Sequence, residues 1–205
     1  MNGVSARGEL FIDPQRCIGC RACVEACSEC PGHGGFSMIH LDFLERASTI
    51  QTAPTVCMHC EDPACVSVCP ADAIRKGPDG VVHTAMTERC IGCSNCVLAC
   101  PFGVPKYESA QDLMMKCDLC YDRTSRDLKP MCATVCPSGA LLYSTRAEVE
   151  DSRQARPLNV FQFGDEVVHT KISYMVPAHQ ELIRVSEPAA GLRSVAEQCL
   201  AEAIV

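Results

Sequence analysis

Sixteen cysteines in four groups of four constrain this chain more than any other feature. They are Cys17, Cys20, Cys23 and Cys27 in group one; Cys57, Cys60, Cys65 and Cys69 in group two; Cys90, Cys93, Cys96 and Cys100 in group three; and Cys117, Cys120, Cys132 and Cys136 in group four. Cys30 and Cys199 lie outside the groups. With 18 cysteines in 205 residues, six Phe, four Tyr and no Trp, the ordinary apolar core is thin. Either disulfides or bound metal must therefore stabilise the fold.

The spacing within the groups favours iron–sulfur clusters. Groups one and three read C-x2-C-x2-C-x3-C, which is the ligand pattern of bacterial ferredoxins. In that pattern three closely spaced thiolates hold one cluster, and the fourth, one helical turn further on, holds a different one. The alternative function is a structural module without redox activity, stabilised by bound zinc. Only the spacing of group four fits a zinc site. Four zinc sites with these compressed spacings are a much poorer interpretation.

Charge and hydropathy exclude other classes. The formal net charge is −7 without a basic stripe, which argues against a nucleic-acid partner. No apolar run approaches the roughly 18 residues that span a bilayer, so no direct membrane span is expected. The N-terminus shows no export signal, which predicts a cytoplasmic protein with reduced thiols and disfavours disulfides. Export on a partner's signal would leave no trace in this chain and stays open.

The segments between the groups predict an α+β fold built from two ferredoxin-like halves. A short strand is expected over Gly8–Asp13, a hairpin over residues 73–84, and a strand over Gly139–Ser144. Each x3 segment between the last two cysteines of a group predicts a single helical turn. These elements would bracket the cysteine groups as strands and helices do in a ferredoxin.

Beyond the last group the sequence predicts a different kind of segment. Thr145 and Glu148 form a capping box for a helix to about Gln154. A hairpin is expected around Gly164-Asp165, and residues 192–204 have the periodicity of an amphipathic helix that carries Cys199. We therefore divide the chain into a four-cluster domain, residues 1–150, and a C-terminal tail, residues 151–205. We expect the tail to pack on a partner subunit, with the chain's own core as the alternative.

Three phrases resemble a known family. They are CMHCEDPAC at residues 57–65, CIGCSNCVLACPFG at residues 90–103, and KCDLC at 116–120 followed by CATVCP at 132–137. They are similar to the four-cluster ferredoxin-like beta subunits of the dimethyl sulfoxide reductase class of molybdenum enzymes. The resemblance covers about residues 9 to 145. It implies that groups two and three form a half, about residues 54–106, inserted into the half formed by groups one and four.

The same resemblance implies four [4Fe–4S] clusters and the ligands of each. The sets are Cys17, Cys20, Cys23 and Cys136; Cys27, Cys117, Cys120 and Cys132; Cys57, Cys60, Cys65 and Cys100; and Cys69, Cys90, Cys93 and Cys96. It implies an electron wire in that order, with the first set nearest the catalytic partner. Group one departs from the pattern because its proline follows Cys30. The x3 spacing favours Cys27 as the ligand, with Cys30 as a stand-in or a surplus thiol.

The predicted function is electron transfer without catalysis. With sixteen thiolates assigned, no iron keeps an open position, and no Gly-rich nucleotide fingerprint is present. The resemblance implies a catalytic partner with a molybdenum or tungsten bis-pterin cofactor and a further redox partner. A hydrogenase, a carbon monoxide dehydrogenase or a flavin subunit is the alternative partner. Five side chains beside the loops are candidates for tuning cluster potentials: Arg21, His59, Arg89, Lys116 and Arg123.

Overall fold

The computed structural model describes residues 8–45 and 50–185. A 3-10 turn at Pro14–Arg16 precedes the first cysteine group. The strands are β1 Glu9–Ile12, β2 His40–Glu45, β3 Ile50–Thr55, β4 Lys106–Glu108, β5 Leu113–Met115, β6 Leu141–Ser144, β7 Arg156–Phe163, β8 Glu166–Val176 and β9 Ile183–Val185. The helices are α1 Ala22–Ser28, α2 Ala64–Ser67, α3 Asn95–Ala99, α4 Tyr121–Thr124, α5 Met131–Val135 and α6 Arg146–Ser152.

One five-stranded sheet joins the two ends of the described chain. Its strand order is β6-β1-β8-β7-β9. β1 runs antiparallel to β6 and parallel to β8, and β7 runs antiparallel to β8. β2–β3 and β4–β5 form two separate hairpins. The strands predicted over Gly8–Asp13 and Gly139–Ser144 are thus confirmed, and they pair with each other.

The cysteine-bearing helices are short because a proline follows the last cysteine of three groups. α3 ends at Ala99 and α5 ends at Val135, each one residue before a Cys-Pro pair. Proline offers no N–H to a helix and disfavours helical backbone in the residue before it. α1 has no proline after Cys27 and continues to Ser28, and the Cys30 N–H then donates to the Cys27 carbonyl. The displaced proline of group one therefore lengthens this helix and carries Cys30 along with it.

The helices pair across the chain. α1 packs against α5, and α2 packs against α3. Group one is thereby brought to group four, and group two to group three. Six of the cysteines, Cys23, Cys27, Cys57, Cys96, Cys117 and Cys132, belong to the same buried cluster as Leu10, Ile12 and Ile172. The core is therefore built partly of thiols.

The hairpin expected over residues 73–84 is less regular than predicted. A single bridge, Lys76 with Val82, pairs its two arms. Backbone hydrogen bonds extend it, from the Gly77 N–H to the Val81 carbonyl at 2.7 Å and from the Met86 N–H to the Ala73 carbonyl at 3.0 Å. Regular pairing stops early because both arms soon leave for the cysteine loops.

The tail hairpin packs on the chain's own core. β7 and β8 form the predicted hairpin, with Gly164 at φ +60° in its turn. β8 lies beside β1, and Phe161 and Tyr174 are fully buried. The hairpin thus packs on the chain's own core through its apolar side chains, and contact of the tail with a partner subunit stays a prediction. The amphipathic helix predicted over residues 192–204, with Cys199, lies outside the described residues.

The five-stranded sheet takes strands from both sides of residue 150. The division of the chain into two domains at that residue stays a prediction. Within residues 8–45 and 50–185, no helix has the length and apolar character that crossing a membrane requires.

Candidate metal centres

Three cavities are each lined by four cysteines that come from two different groups. Site 1 is lined by Cys17, Cys20, Cys23 and Cys136; site 2 by Cys27, Cys117, Cys120 and Cys132; and site 4 by Cys69, Cys90, Cys93 and Cys96. The other lining residues are largely apolar, such as Leu41 at site 1 and Met114 at site 4. In the part of the chain that the structure describes, no three His, Cys, Asp or Glu side chains converge to hold a single metal ion. The thiols of a set surround a space instead.

The thiols of a fourth set lie close enough together for their charges to affect one another. Burial raises the pKa of the Cys60 thiol, and the neighbouring charges of Cys57, Cys100 and Cys65 raise it further. These four thiols are named site 3. They combine three cysteines of group two with the last cysteine of group three.

Thiols of different sites also lie close enough for their charges to interact. Burial raises the pKa of Cys132 in site 2, and Cys23 of site 1 adds to the rise. The pKa of Cys117 in site 2 is raised by burial and then by Cys57 of site 3. Cys96 of site 4 similarly raises the pKa of Cys65 in site 3, after burial and nearer charges. These contacts link site 1 with site 2, site 2 with site 3, and site 3 with site 4.

Two binding loops repeat one backbone conformation. Gly19 and Gly92 have φ of +70° and +64°, and the residues after the next cysteine, Arg21 and Ser94, also have positive φ. Glycine adopts this region without steric cost. Gly19 has a second reason to lack a side chain, since a Cβ there would lie 3.2 Å from the Thr52 hydroxyl and methyl. The loop of site 1 can therefore lie directly against strand β3.

Backbone N–H groups point at the last cysteine of several groups. The Ala73 N–H donates to Cys69 Sγ at 3.3 Å, the Leu141 N–H to Cys136 Sγ at 3.4 Å, and the Met38 N–H to Cys27 Sγ at 3.3 Å. Such donors stabilise a thiolate. At Cys69 burial raises the pKa, but several backbone N–H groups, that of Ala73 first, outweigh it and lower the pKa.

Most of the other thiols are unfavourable as isolated thiolates. Burial raises the pKa of Cys23 to about 11, and of Cys65 and Cys120 to about 12. A low-dielectric environment disfavours the charged form of each. Bound iron deprotonates its thiol ligands and supplies the compensating positive charge. The four-thiol sets, their apolar walls and their N–H donors therefore fit iron–sulfur clusters.

Side-chain donors also reach two of these thiols, and no sequence motif indicated them. The Thr52 hydroxyl donates to Cys17 Sγ at 3.1 Å, from a strand 35 residues further on. His33 Nδ1 lies 3.6 Å from Cys27 Sγ and 2.6 Å from the Cys27 carbonyl oxygen. Burial raises the pKa of Cys27, but the hydrogen bonds with His33 and Met38 lower it overall.

Lys116 lies between sites 2 and 3. Its side chain is buried, and Nζ donates to the Val82 carbonyl and, at 2.7 Å, to the Cys117 carbonyl. Its charge lowers the pKa of Cys65 and of Cys117, against the larger effect of burial. Of the five residues proposed to tune cluster potentials, Lys116 is a buried cation that lies beside two sites.

His59 is fully buried between the cysteines of group two. Its Nδ1 accepts a hydrogen bond from the Val82 N–H at 2.9 Å, while Nε2 has no partner within the described residues. Burial, followed by the charge of Lys116, holds its pKa well below the usual range. The ring is therefore neutral, with its proton on Nε2.

The three arginine candidates differ in position. Arg21 lines the cavity of site 1. Arg89 forms a half-exposed ion pair with Asp72 at 3.4 Å, and Arg123 Nε donates to the Lys129 carbonyl at 2.8 Å. Arg89 and Arg123 therefore have surface partners.

Comparison with known proteins gives two family matches. A family described as 4Fe-4S dicluster domain matches residues 48–146, and one described as 4Fe-4S binding domain matches residues 8–29. Together the two matches include all four cysteine groups.

Individual relatives are iron–sulfur or electron-transfer subunits of oxidoreductases. The B subunit of the anaerobic dimethyl sulfoxide reductase of Escherichia coli is 39% identical over 145 residues, which are 64% of this chain and 70% of the relative. The thiosulfate reductase electron transfer subunit of Salmonella typhi is 36% identical over 172 residues, 79% of this chain and 88% of the relative. The iron-sulfur subunit of the nitrate-inducible formate dehydrogenase of Escherichia coli is 34% identical over 168 residues, 71% of this chain. The match spans only 57% of that last relative's length.

Proposed function

Because this chain belongs to the family of [4Fe–4S] electron-transfer subunits of oxidoreductase complexes, we propose that it relays single electrons between two redox partners. The first partner is a catalytic subunit with a molybdenum or tungsten bis-pterin cofactor, and the second is a further redox subunit or carrier. The observation that carries the proposal is the presence of four separate four-thiol sites. A [4Fe–4S] cluster, when bound, accepts and releases one electron at a time.

The cysteines proposed to hold four clusters are those of sites 1 to 4. In each site three thiols come from one group and the fourth from another, so each cluster would join two segments distant in sequence. The backbone donors to Cys27, Cys69 and Cys136 would hold these thiolates in place. The buried Lys116 ammonium would offset negative charge between sites 2 and 3.

The proposed architecture is one ferredoxin-like half, about residues 54–106, inserted into another. The packing of α1 on α5 and of α2 on α3 supports this arrangement. An insertion of this kind would put sites 1 and 2 in the outer half and sites 3 and 4 in the inserted half. Cys132 of site 2 lies near Cys23 of site 1, and Cys117 of site 2 lies near Cys57 of site 3. These contacts support an electron path from site 1 through site 2 to site 3.

The direct test is the metal content of the full chain after strictly anaerobic purification. Four clusters require about sixteen iron and an equal amount of acid-labile sulfide per chain, with negligible zinc. About four zinc and no iron would contradict the proposal and make this a structural module. Molybdenum or tungsten in the co-purified complex supports the proposed catalytic partner, whereas nickel or flavin favours the alternative partners.

The ligand in group one has its own test. We expect Cys27→Ala to lose iron from site 2, because Cys27 lines that cavity together with Cys117, Cys120 and Cys132. Cys30→Ala is the matched control and should keep the full iron count. The reverse result, iron lost with Cys30→Ala and kept with Cys27→Ala, would exchange the roles of the two thiols.

A further inference from the structure

Cys30 is a thiol that the proposed ligand sets do not use. It is buried, and it does not line the cavity of site 2. Its Sγ nevertheless lies 3.8 Å from Sγ of Cys120, a proposed ligand of that site. An unassigned thiol, Cys30, thus contacts a proposed ligand thiol that is 90 residues away in sequence.

Both members of the pair are held by their backbones. The Cys30 N–H donates to the Cys27 carbonyl at the end of α1, and Cys30 Sγ donates to the Ala26 carbonyl at 3.4 Å. Cys120 is the N-cap residue just before α4, and its N–H donates to Asp118 Oδ1 at 3.0 Å. A disulfide has its sulfurs about 2.0 Å apart, so the two sulfurs need to approach by about 1.8 Å. Side-chain rotation covers a movement of that size.

We propose that Cys30 is a resolving thiol for site 2, a role that rests on the proposed function of Cys120 as an iron ligand. A peroxide that stripped iron from site 2 while the other sites stayed loaded would release Cys120 as the thiolate that had bound the metal, and this thiolate would attack the peroxide O–O bond before it is protonated. Cys120 becomes a sulfenic acid, and hydroxide leaves. The Cys30 thiol then displaces the sulfenic oxygen as water, and a Cys30–Cys120 disulfide forms. Overall, two thiols lose two electrons and two protons, and hydrogen peroxide becomes two waters.

The disulfide preserves the ligand. A sulfenic acid without a neighbouring thiol is oxidised further to sulfinic and sulfonic acids, which are not restored by ordinary thiol reductants. A disulfide is reopened by a dithiol, which returns Cys120 to a form that binds iron. The displaced proline of group one lets α1 run to Ser28, and Cys30, just beyond the helix end, is thereby placed beside Cys120.

The experiment uses the anaerobically purified full chain, treated with an iron chelator and a limiting amount of hydrogen peroxide, so that most sites keep their iron and the chain stays folded. Remaining thiols are then alkylated, and the disulfide-linked peptides are identified by mass spectrometry. We expect a linked peptide that contains Cys30 and Cys120 to dominate. If Cys120 is linked mainly to another cysteine or is found as a sulfonic acid, the proposal is overturned.

Reloading provides the second readout, with Cys30→Ala and Cys30→Ser as variants. After peroxide and then dithiothreitol, iron and sulfide should return the wild type to its original iron count. Each variant should stay about four iron short, because oxidised Cys120 is not recovered. Equal recovery in wild type and variants overturns the proposal.

The iron count before peroxide separates the two levels of inference. A wild-type chain that binds no iron contradicts the proposed function itself. A variant that folds but lacks about four iron before treatment makes Cys30 a ligand and overturns only its resolving role.

Discussion

At the residue scale, the hydroxyl of Thr52 is the donor with the clearest consequence. It lies in β3, largely buried, and donates to Cys17 Sγ at 3.1 Å. Hydrogen bonds to cluster sulfurs stabilise the reduced, more negative state and raise its potential. We expect Thr52→Val to lower the potential of the site 1 cluster by about 59 mV, a tenfold change in a one-electron equilibrium. A potentiometric titration followed by electron paramagnetic resonance measures it.

Two variants control that measurement. Thr52→Ser keeps the hydroxyl and should keep the potential close to that of the wild type. Thr55, in the same strand, donates to Asp42 rather than to a cysteine, so Thr55→Val should leave the site 1 potential unchanged. An equal shift with Thr52→Val and Thr55→Val would mean that the strand, not the hydrogen bond, sets the potential.

Other residue-scale features divide into those that local sequence indicates and those that it does not. The C-x2-C spacing with Gly19 or Gly92 indicates a tight loop, and the structure has one at each position. The contacts of Cys30 with Cys120 and of Thr52 with Cys17 join residues far apart in sequence. No local pattern contains them, because they depend on how distant segments pack.

At the element scale, the β7–β8 hairpin is part of the support of site 3. Strand β8 is bonded to the group-two loop by three backbone hydrogen bonds, from Lys171 N–H to the His59 carbonyl, from Ile172 N–H to the Met58 carbonyl, and from Glu61 N–H to the His169 carbonyl. The hairpin also contacts the segment after group three, where the Phe102 ring meets Phe161 edge to face at 5.2 Å. The hairpin therefore holds both segments that contribute thiols to site 3.

Phe161→Ala tests this support. Phe161 is fully buried, with Phe102 and Tyr174 as aromatic neighbours. Removing a buried Phe side chain costs about 3–5 kcal/mol of unfolding free energy. We expect that loss in anaerobic urea unfolding of the iron-loaded chain, with earlier iron release. Val167→Ala, at a half-exposed position of the same hairpin, should change the free energy by less than about 0.5 kcal/mol. Equal effects of the two substitutions would contradict a packing role for Phe161.

Local chemistry predicted most of the elements but not their partners. The capping box of Thr145 and Glu148 is confirmed at the start of α6, because a cap involves only neighbouring residues. The hairpin turn at Gly164-Asp165 is confirmed for a similar reason. The surface on which that hairpin packs could not be chosen in the same way, since apolar alternation shows that a face is buried and not what buries it.

At the scale of the whole molecule, cysteine thiols occupy places that apolar side chains fill in other proteins of this size. Cys27, Cys117 and Cys132 are buried within the main core cluster. Burial raises the pKa of Cys117 and Cys132 far above the usual range, so the metal-free interior holds protonated thiols in place of ligands. Metal binding of this kind contributes directly to folding free energy.

Removal of iron from all four sites should therefore unfold the cysteine-bearing region, about residues 9 to 145. The measurement is far-ultraviolet circular dichroism of the full chain before and after oxidative chelation of iron, under otherwise identical conditions. We expect loss of the native spectrum and of cooperative thermal unfolding, because each proposed cluster would join two segments that are distant in sequence. An iron-free chain that keeps the native spectrum would refute this account of its stability.

The sequence by itself determined the chemistry of this protein. Cysteine spacing, the turn glycines and the prolines after Cys69, Cys100 and Cys136 are local signals, and they indicate clusters, tight loops and single helical turns. Local spacing does not show which thiols share a cavity, a pairing that only the family resemblance implied. The tertiary structure alone decided that Thr52 and Lys116 lie beside these thiols, that Cys30 meets Cys120, and that the tail hairpin packs on the core. The physical reason is that these features are contacts between distant segments, whose packing is set by the whole chain at once.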